Sequence, residues 1–216
     1  MINHKIREKL TEFFADSDER TYHKGDIVTF ANQDPEGVFF LVEGIVEQYD
    51  VTPEGNKVIV NIFKPMSFFP MSWAINKVPN MYFFAALTTI RLKRAHPDKV
   101  ALFLQQNPEV MFDLLSRVYI GTDGLLRRLV LAASGIAANR LIFELLIEGT
   151  RFGEDASGTK KIVKIKQSSL AARSGLARET VSRELHKLER EGLVKLTKNG
   201  IVLHVEALED KLDFTV

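Results

Sequence analysis

Residues 167 to 192 hold two short helical patterns on either side of Gly175, and this arrangement constrains the fold more than any other stretch of the chain. Ser168 and Ser169 are N-cap candidates for a first helix whose apolar side is Leu170 and Ala171, and Gly175 supplies the positive φ that ends it. Leu176, Val181, Leu185 and Leu188 then recur at helical spacing, so a second helix buries that stripe and turns Arg178, Glu179, Ser182 and Arg183 outward. Gly192 closes it. Leu193 to Leu196 and Ile201 to Val205 read as strands joined at Asn199-Gly200, a strong two-residue hairpin signal. Two helices across a sharp turn, followed by a hairpin, predict a winged helix-turn-helix.

The outward groups are the types that read base edges in a DNA major groove: an arginine forks onto guanine O6 and N7, and a glutamate accepts from cytosine N4. Arg178, Glu179, Thr180, Ser182 and Arg183 are therefore candidate base-facing residues, with Lys166, Ser168, Ser169 and the wing's Lys198 as candidates for holding the phosphate backbone. Charge points the same way. From Lys160 to Gly200 there are eleven basic residues and four acidic ones, whereas the rest of the chain has 18 and 24. A cationic block inside a chain of net charge +1 is the footprint of a nucleic-acid module attached to something else. The same helices also fit an αα-hairpin with a solvated charged face, or a winged helix that binds protein. Neither gives a reason for base-reading groups on an exposed first turn.

With 216 residues, 45% of them hydrophobic, the chain can bury one or two cores, and its length favours two. Its first half reads as all-β. Runs rich in Val, Ile and Phe (Ile27 to Phe30, Val38 to Val42, Ile45 to Tyr49, Val58 to Phe63, Phe83 to Leu87, Thr89 to Arg94) alternate with turn signals such as Lys24-Gly25-Asp26 and Pro53-Glu54-Gly55-Asn56. Short, evenly spaced strands imply an antiparallel, jelly-roll-like β-roll, with residues 2 to 14 as a helix packing on it through Ile6, Leu10, Phe13 and Phe14. The predicted class is thus α+β, divided as residues 1–107, a β-roll that senses an effector; 108–135, a dimerisation helix; and 136–216, the winged helix-turn-helix.

His96-Pro97-Asp98 starts a short helix in the intervening segment, and Asn107-Pro108-Glu109 starts a long one that runs to about Ala133. Met111, Leu114, Val118, Gly121, Leu125 and Ala132 fall three, four or seven residues apart along it, as in a coiled-coil seam, although Arg128 interrupts the pattern. Gly121 and Gly124 inside a helix cost roughly 1 kcal/mol each relative to alanine, which suggests close approach by another backbone. A homodimer seam is the preferred use of this stripe. Packing on the chain's own β-roll is the other, and different faces can serve both. Ser134-Gly135 breaks the pattern before a helix from Ala137 to Glu148.

Cysteine is absent, which excludes disulfides, iron–sulfur clusters and thiolate-ligated zinc. The N-terminal segment lacks the apolar core of a signal peptide, and apolar runs such as Phe83 to Ile90 are too short to span a bilayer, so the expected location is the cytoplasm with no membrane partner. The five histidines (His4, His23, His96, His186, His204) are scattered without metal-ligand spacing, and no nucleophile elbow or phosphate-binding glycine loop is present. No catalytic or metal-ligating residues are assigned, and an enzyme is not expected.

The order β-roll, long helix, winged helix resembles the Crp/Fnr superfamily of bacterial transcription regulators along almost the whole chain. Arg178-Glu179-Thr180-Val181-Ser182-Arg183 looks like that family's recognition-helix signature, and Phe39 through Gly44 with the Pro53-Glu54-Gly55 turn is similar to its effector-domain hairpins. The resemblance implies that Glu179 and Arg183 are the principal base-reading pair. Arg178 matches the extra arginine of the cyclic-AMP-responsive branch, and Ser182 the serine of the oxygen-responsive branch. It further implies a homodimer on a palindromic operator of two half-sites in double-stranded DNA, with RNA polymerase as a partner and a small-molecule effector.

The departures matter as much. Cyclic-nucleotide-binding members present a glycine-glutamate pair to the ribose and an arginine with a small hydroxyl residue to the phosphate, where this chain has Pro70-Met71 and Met81-Tyr82. Cyclic nucleotide is therefore not the expected ligand. Aromatic and soft side chains replace those groups, and they either build core or line an apolar effector pocket from Phe69, Met71, Ser72, Trp73, Asn80, Met81 and Tyr82. His23 or His96 as haem ligands, as in gas-sensing relatives, is a further alternative. The effector itself stays unidentified.

Overall fold

The computed structural model describes residues 4–212, and by packing the chain divides into two units, residues 1–123 and 124–216. The first contains α1 (His4–Phe13), β1 (Asp18–Tyr22), β2 (Ile27–Thr29), β3 (Val38–Glu43), β4 (Val46–Val51), β5 (Lys57–Phe63), β6 (Phe68–Phe69), α2 (Met71–Asn76), β7 (Phe83–Ala86), β8 (Ile90–Ala95) and α3 (Pro97–Gln106), followed by α4 (Pro108–Ser134), which runs through the division. Two four-stranded antiparallel sheets form the roll, ordered β1-β8-β3-β6 and β2-β7-β4-β5. Residues 2 and 3 of the predicted first helix lie outside the described residues.

β3 shows why the sequence folds this way. Its Val-Phe-Phe-Leu run does not alternate with polar residues because both faces of the strand are covered. Phe39 and Leu41 enter a cluster with Phe69, Phe84, Ile90 and Leu92. Val38 and Phe40 join Ile6, Leu10 and Phe14 with Val100 and Leu104 of α3 and Val110 of α4. One strand therefore holds the β-roll and its helical cover together.

The second unit contains α5 (Ala137–Phe152), β9 (Glu154–Asp155), β10 (Lys160–Val163), α6 (Gln167–Ser174), α7 (Arg178–Arg190), β11 (Val194–Thr197), β12 (Gly200–His204) and α8 (Val205–Lys211). Leu141, Ile142 and Leu145 of α5 form one core with Leu170 of α6, with Val181, Leu185 and Leu188 of α7, and with Leu203 of the sheet β11-β12-β10-β9. This is the winged helix-turn-helix that the two-helix pattern predicts.

Three local expectations differ. Ser168 and Ser169 do not cap α6: the N-cap is Lys166, with no side-chain cap bond, because the helix starts at Gln167 and leaves both hydroxyls inside its first turn. The wing's turn is not Asn199-Gly200. Thr197 pairs with Gly200, so Lys198 and Asn199 form the tip, while Thr197 Oγ1 accepts from the Asn199 N–H at 3.2 Å and donates to the Gly200 carbonyl at 2.7 Å. Gly200 is required for a different reason, since it has φ +140° and a Cβ there would lie 2.4 Å from the Val163 carbonyl oxygen of β10. Val205, read as the end of a strand, instead starts α8.

Candidate nucleic-acid interface

α7 buries Val181, Leu185 and Leu188 almost completely, which fixes which side chains face away from the core. Arg178, Glu179 and Arg183 are exposed and Thr180 and Ser182 half-buried. Residues 179 and 183, like 178 and 182, stand one turn apart, so these groups share a face. Arg183 has 71% of its side chain exposed, and its ion contact is a loose 3.6 Å approach to Glu184. A guanidinium so lightly held is available to an incoming acceptor. His186, 61% exposed and one turn beyond Ser182, belongs to the same face. The Ser182/His186 spacing was the sequence signal for it.

The rest of the cationic block is not all available. Lys161 is bonded to Asp155 and Lys164 to Glu154, both at 2.6 Å, and Arg173 is buried against Glu148 at 2.5 Å. Lys166, at the start of α6, and Lys198, at the wing's tip, are exposed, as is Ser168, while Ser169 is half-buried. These four surround α6 and the wing as candidates for phosphate contacts. The turn between the helices is held from below: Arg140 of α5 donates to the Ser174 carbonyl from Nε at 2.9 Å and from Nη2 at 2.5 Å, and to the Gly175 carbonyl at 2.7 Å. Gly175 takes φ +61°, and a Cβ on it would meet the Arg140 guanidinium at 2.8 Å.

On α4, Leu114, one of the residues predicted for the seam, is partly buried within its own chain. With Val110 it packs into the chain's own helix-covered cluster. The stripe left exposed is Met111, Leu115, Val118, Leu125 and Leu129, flanked by Phe112, Tyr119 and Leu126. With Thr122 it runs in steps of four and three, the spacing of a coiled-coil seam. Gly121 and Gly124 have nothing within 4 Å of an added Cβ, so none of the described residues supplies the close approach their presence suggests.

The seven residues predicted to line an effector pocket do not converge. Phe69 is fully buried in the roll, with Tyr82 packed on the same cluster. Met71 and Trp73 pack on the helical cluster, Ser72 is exposed, and Met81 is 57% exposed. Asn80 is buried, but its amide nitrogen donates to the Phe30 and Tyr82 carbonyls at 2.9 and 2.8 Å, so it serves the backbone and does not orient a ligand. The composition of this stretch is explained by core-building and loop support. A depression of about 220 Å³ lies beside Trp73, walled by Val78, Pro79 and Pro97 with Asp34 and Lys77 at its edge. Lys77 is the one cation between Ser67 and Tyr82, and it bonds Asp98 at 2.9 Å. His96 accepts from the Asp98 N–H at the start of α3, and His23 is exposed.

A roll of this kind in one unit and a helix-turn-helix with exposed polar side chains on its second helix in the other are the two parts of the fold. The profile of the cyclic nucleotide-binding domain matches residues 19–107 and that of the Crp-like helix-turn-helix domain residues 139–211. The chain belongs to the Crp/Fnr family of transcription regulators, whose members bind DNA and act as dimers. It is similar to the global nitrogen regulator of Nostoc sp., 27% identical over 190 residues, which cover 85% of this chain and 84% of the relative. It is also similar to the transcriptional regulator SdrP of Thermus thermophilus, 27% identical over 180 residues, covering 81% and 84%. In structure it resembles a CRP/FNR-family transcriptional regulator of Thermus thermophilus (TM-score 0.73, 24% identity, 91% of this chain and 99% of the other). The c-di-GMP-responsive global regulator CLP of Xanthomonas campestris is similar in fold as well (TM-score 0.78, 17% identity, 91% and 98%). Among the described residues no helix is long and apolar enough to cross a membrane.

Proposed function

We propose that this transcription regulator works as a cytoplasmic homodimer on a two-half-site operator. Residues 136–216 read DNA, residues 108–135 form the dimer seam through the exposed stripe of α4, and residues 1–107 respond to an effector that is not a cyclic nucleotide. One observation carries the reading: Glu179 and Arg183 stand exposed on the side of α7 away from its buried Val181, Leu185 and Leu188, and Arg178 is exposed at the helix's first residue. In the groove Arg183 forks onto a guanine, Glu179 accepts from the N4 of a neighbouring cytosine, and Arg178 reaches a second guanine or a phosphate. Lys166, Ser168, Ser169 and Lys198 fix register on the backbone. Promoter-bound dimers then act on RNA polymerase. Against a cyclic nucleotide stand the missing arginine and glutamate. For an apolar effector, the depression beside Trp73 offers room.

Selection from a random duplex library with the purified protein tests this. The expected result is an inverted repeat whose half-site centres lie about 10–10.5 base pairs apart, or a multiple of that. Recovery of duplexes without a shared motif contradicts it.

A further inference from the structure

In the second unit α5 presents two carboxylates one turn apart, Glu144 and Glu148, both buried. Each takes an arginine from a different helix. Arg128 of α4 forks onto Glu144, Nε at 2.5 Å and Nη2 at 3.1 Å. Arg173 of α6 reaches Glu148 at 2.5 Å, with both side chains no more than 7% exposed. A cavity of about 20 Å³ lined by Arg128, Arg140, Glu144, Arg173 and Ser174 joins the two pairs into one cluster. Arg151 of α5 belongs to it as well, since burial first, and then the charges of Arg173 and Arg128, pull its guanidinium below the usual arginine range.

Packing alone does not account for six charged side chains here. Apolar side chains of similar volume often fill such a space with equal or greater stability, so what the ion pairs add is the arrangement they specify. That arrangement concerns the helix-turn-helix. Arg173 ties α6 to α5, Arg140 of α5 holds the turn carbonyls of Ser174 and Gly175, and Arg128 ties α5 to the helix that carries Leu125 and Leu129.

We infer that Arg128–Glu144 and Arg173–Glu148, with the Arg140 clamp, are positioning residues for DNA reading, fixing α6 and through it the base-facing side of α7 to α5 and the C-terminal part of α4. This rests on the proposal that α7 reads DNA. The test uses the full chain, a duplex selected by the wild-type protein from a random library, and a shuffled duplex of the same length. The paired replacement of Arg128→Met and Glu144→Leu removes the ion pair without stranding a buried charge. It is expected to keep the wild-type thermal midpoint or raise it, to bind the selected duplex at least tenfold more weakly, and to bind the shuffled duplex within twofold of wild type. Arg128→Lys keeps the charge but loses the fork, so it serves if the paired variant fails to fold, with at least a threefold loss of preference expected. Wild-type affinity for the selected duplex, or an equal loss on both duplexes, overturns the inference. Arg183→Ala in the same assay separates the two claims: if it leaves sequence preference intact, base reading by α7 fails; if it relaxes preference while the folded paired variant keeps it, only the positioning role fails.

Discussion

Lys198 and Gly200 sit two residues apart in the wing and do different things. Lys198 projects from the tip, where a phosphate contact carries no sequence information, so Lys198→Ala is expected to weaken binding to all duplexes alike and to lower the salt slope by about 1 per half-site. A loss confined to one sequence would contradict that role. Gly200 instead lets β12 pass close to β10. Gly200→Ala places a Cβ against the Val163 carbonyl at an unfavourable φ and is expected to destabilise the second unit by about 1–3 kcal/mol, read as a lower urea midpoint. The hairpin was legible because Asn-Gly lies between two apolar runs. Its register was not, since that depends on Val163, on a strand the sequence pattern did not reveal. Asn80 is a similar case: its polarity suggested a ligand contact, but its partners are carbonyls up to 50 residues away in sequence, at Phe30 and Tyr82.

Helix α4 combines two faces that periodicity alone merged into one stripe. Val110 and Leu114 turn to the chain's own core, whereas Leu125 and Leu129 stay exposed. The two faces predict opposite outcomes. Leu125→Glu with Leu129→Glu is expected to sediment as a folded monomer, because a charge in an a/d seam is buried without a partner. Leu114→Ala is expected to keep the dimer but to lower stability, toward the low end of the ~2–5 kcal/mol seen for buried leucines, because Leu114 is only partly buried. A folded dimer in the first case would remove the seam. Among the strands, the apolar runs of β3, β5 and β7 were legible, whereas β1, Asp-Glu-Arg-Thr-Tyr, gave no pattern. Its pairing with β8 is reinforced by Arg94–Asp18 at 2.9 Å and Arg91–Glu19 at 2.8 Å. Those partners are more than 70 residues away in sequence, so local propensity carried no trace of them. β10, Lys-Lys-Ile-Val, was missed because its lysines read as part of the cationic block.

Core positions such as Phe39, Leu41 and Phe84 build the roll without any charged ligand partner, so the fold does not by itself require a nucleotide site, and we propose that the groups that would hold one are absent. Calorimetry with cyclic AMP and cyclic GMP is therefore expected to show no binding, since each missing charge-assisted contact is worth roughly 1.5–3 kcal/mol. Micromolar affinity for either would show that another part of the roll supplies the phosphate's partners. The central claim, that α7 reads sequence through Arg183 and Glu179, is tested most directly by repeating the library selection with Arg183→Ala. The substitution is expected to cost about 1–3 kcal/mol per half-site and to relax preference at one base pair in each half-site while the remaining positions keep theirs. A motif unchanged from that of the wild-type protein would contradict it.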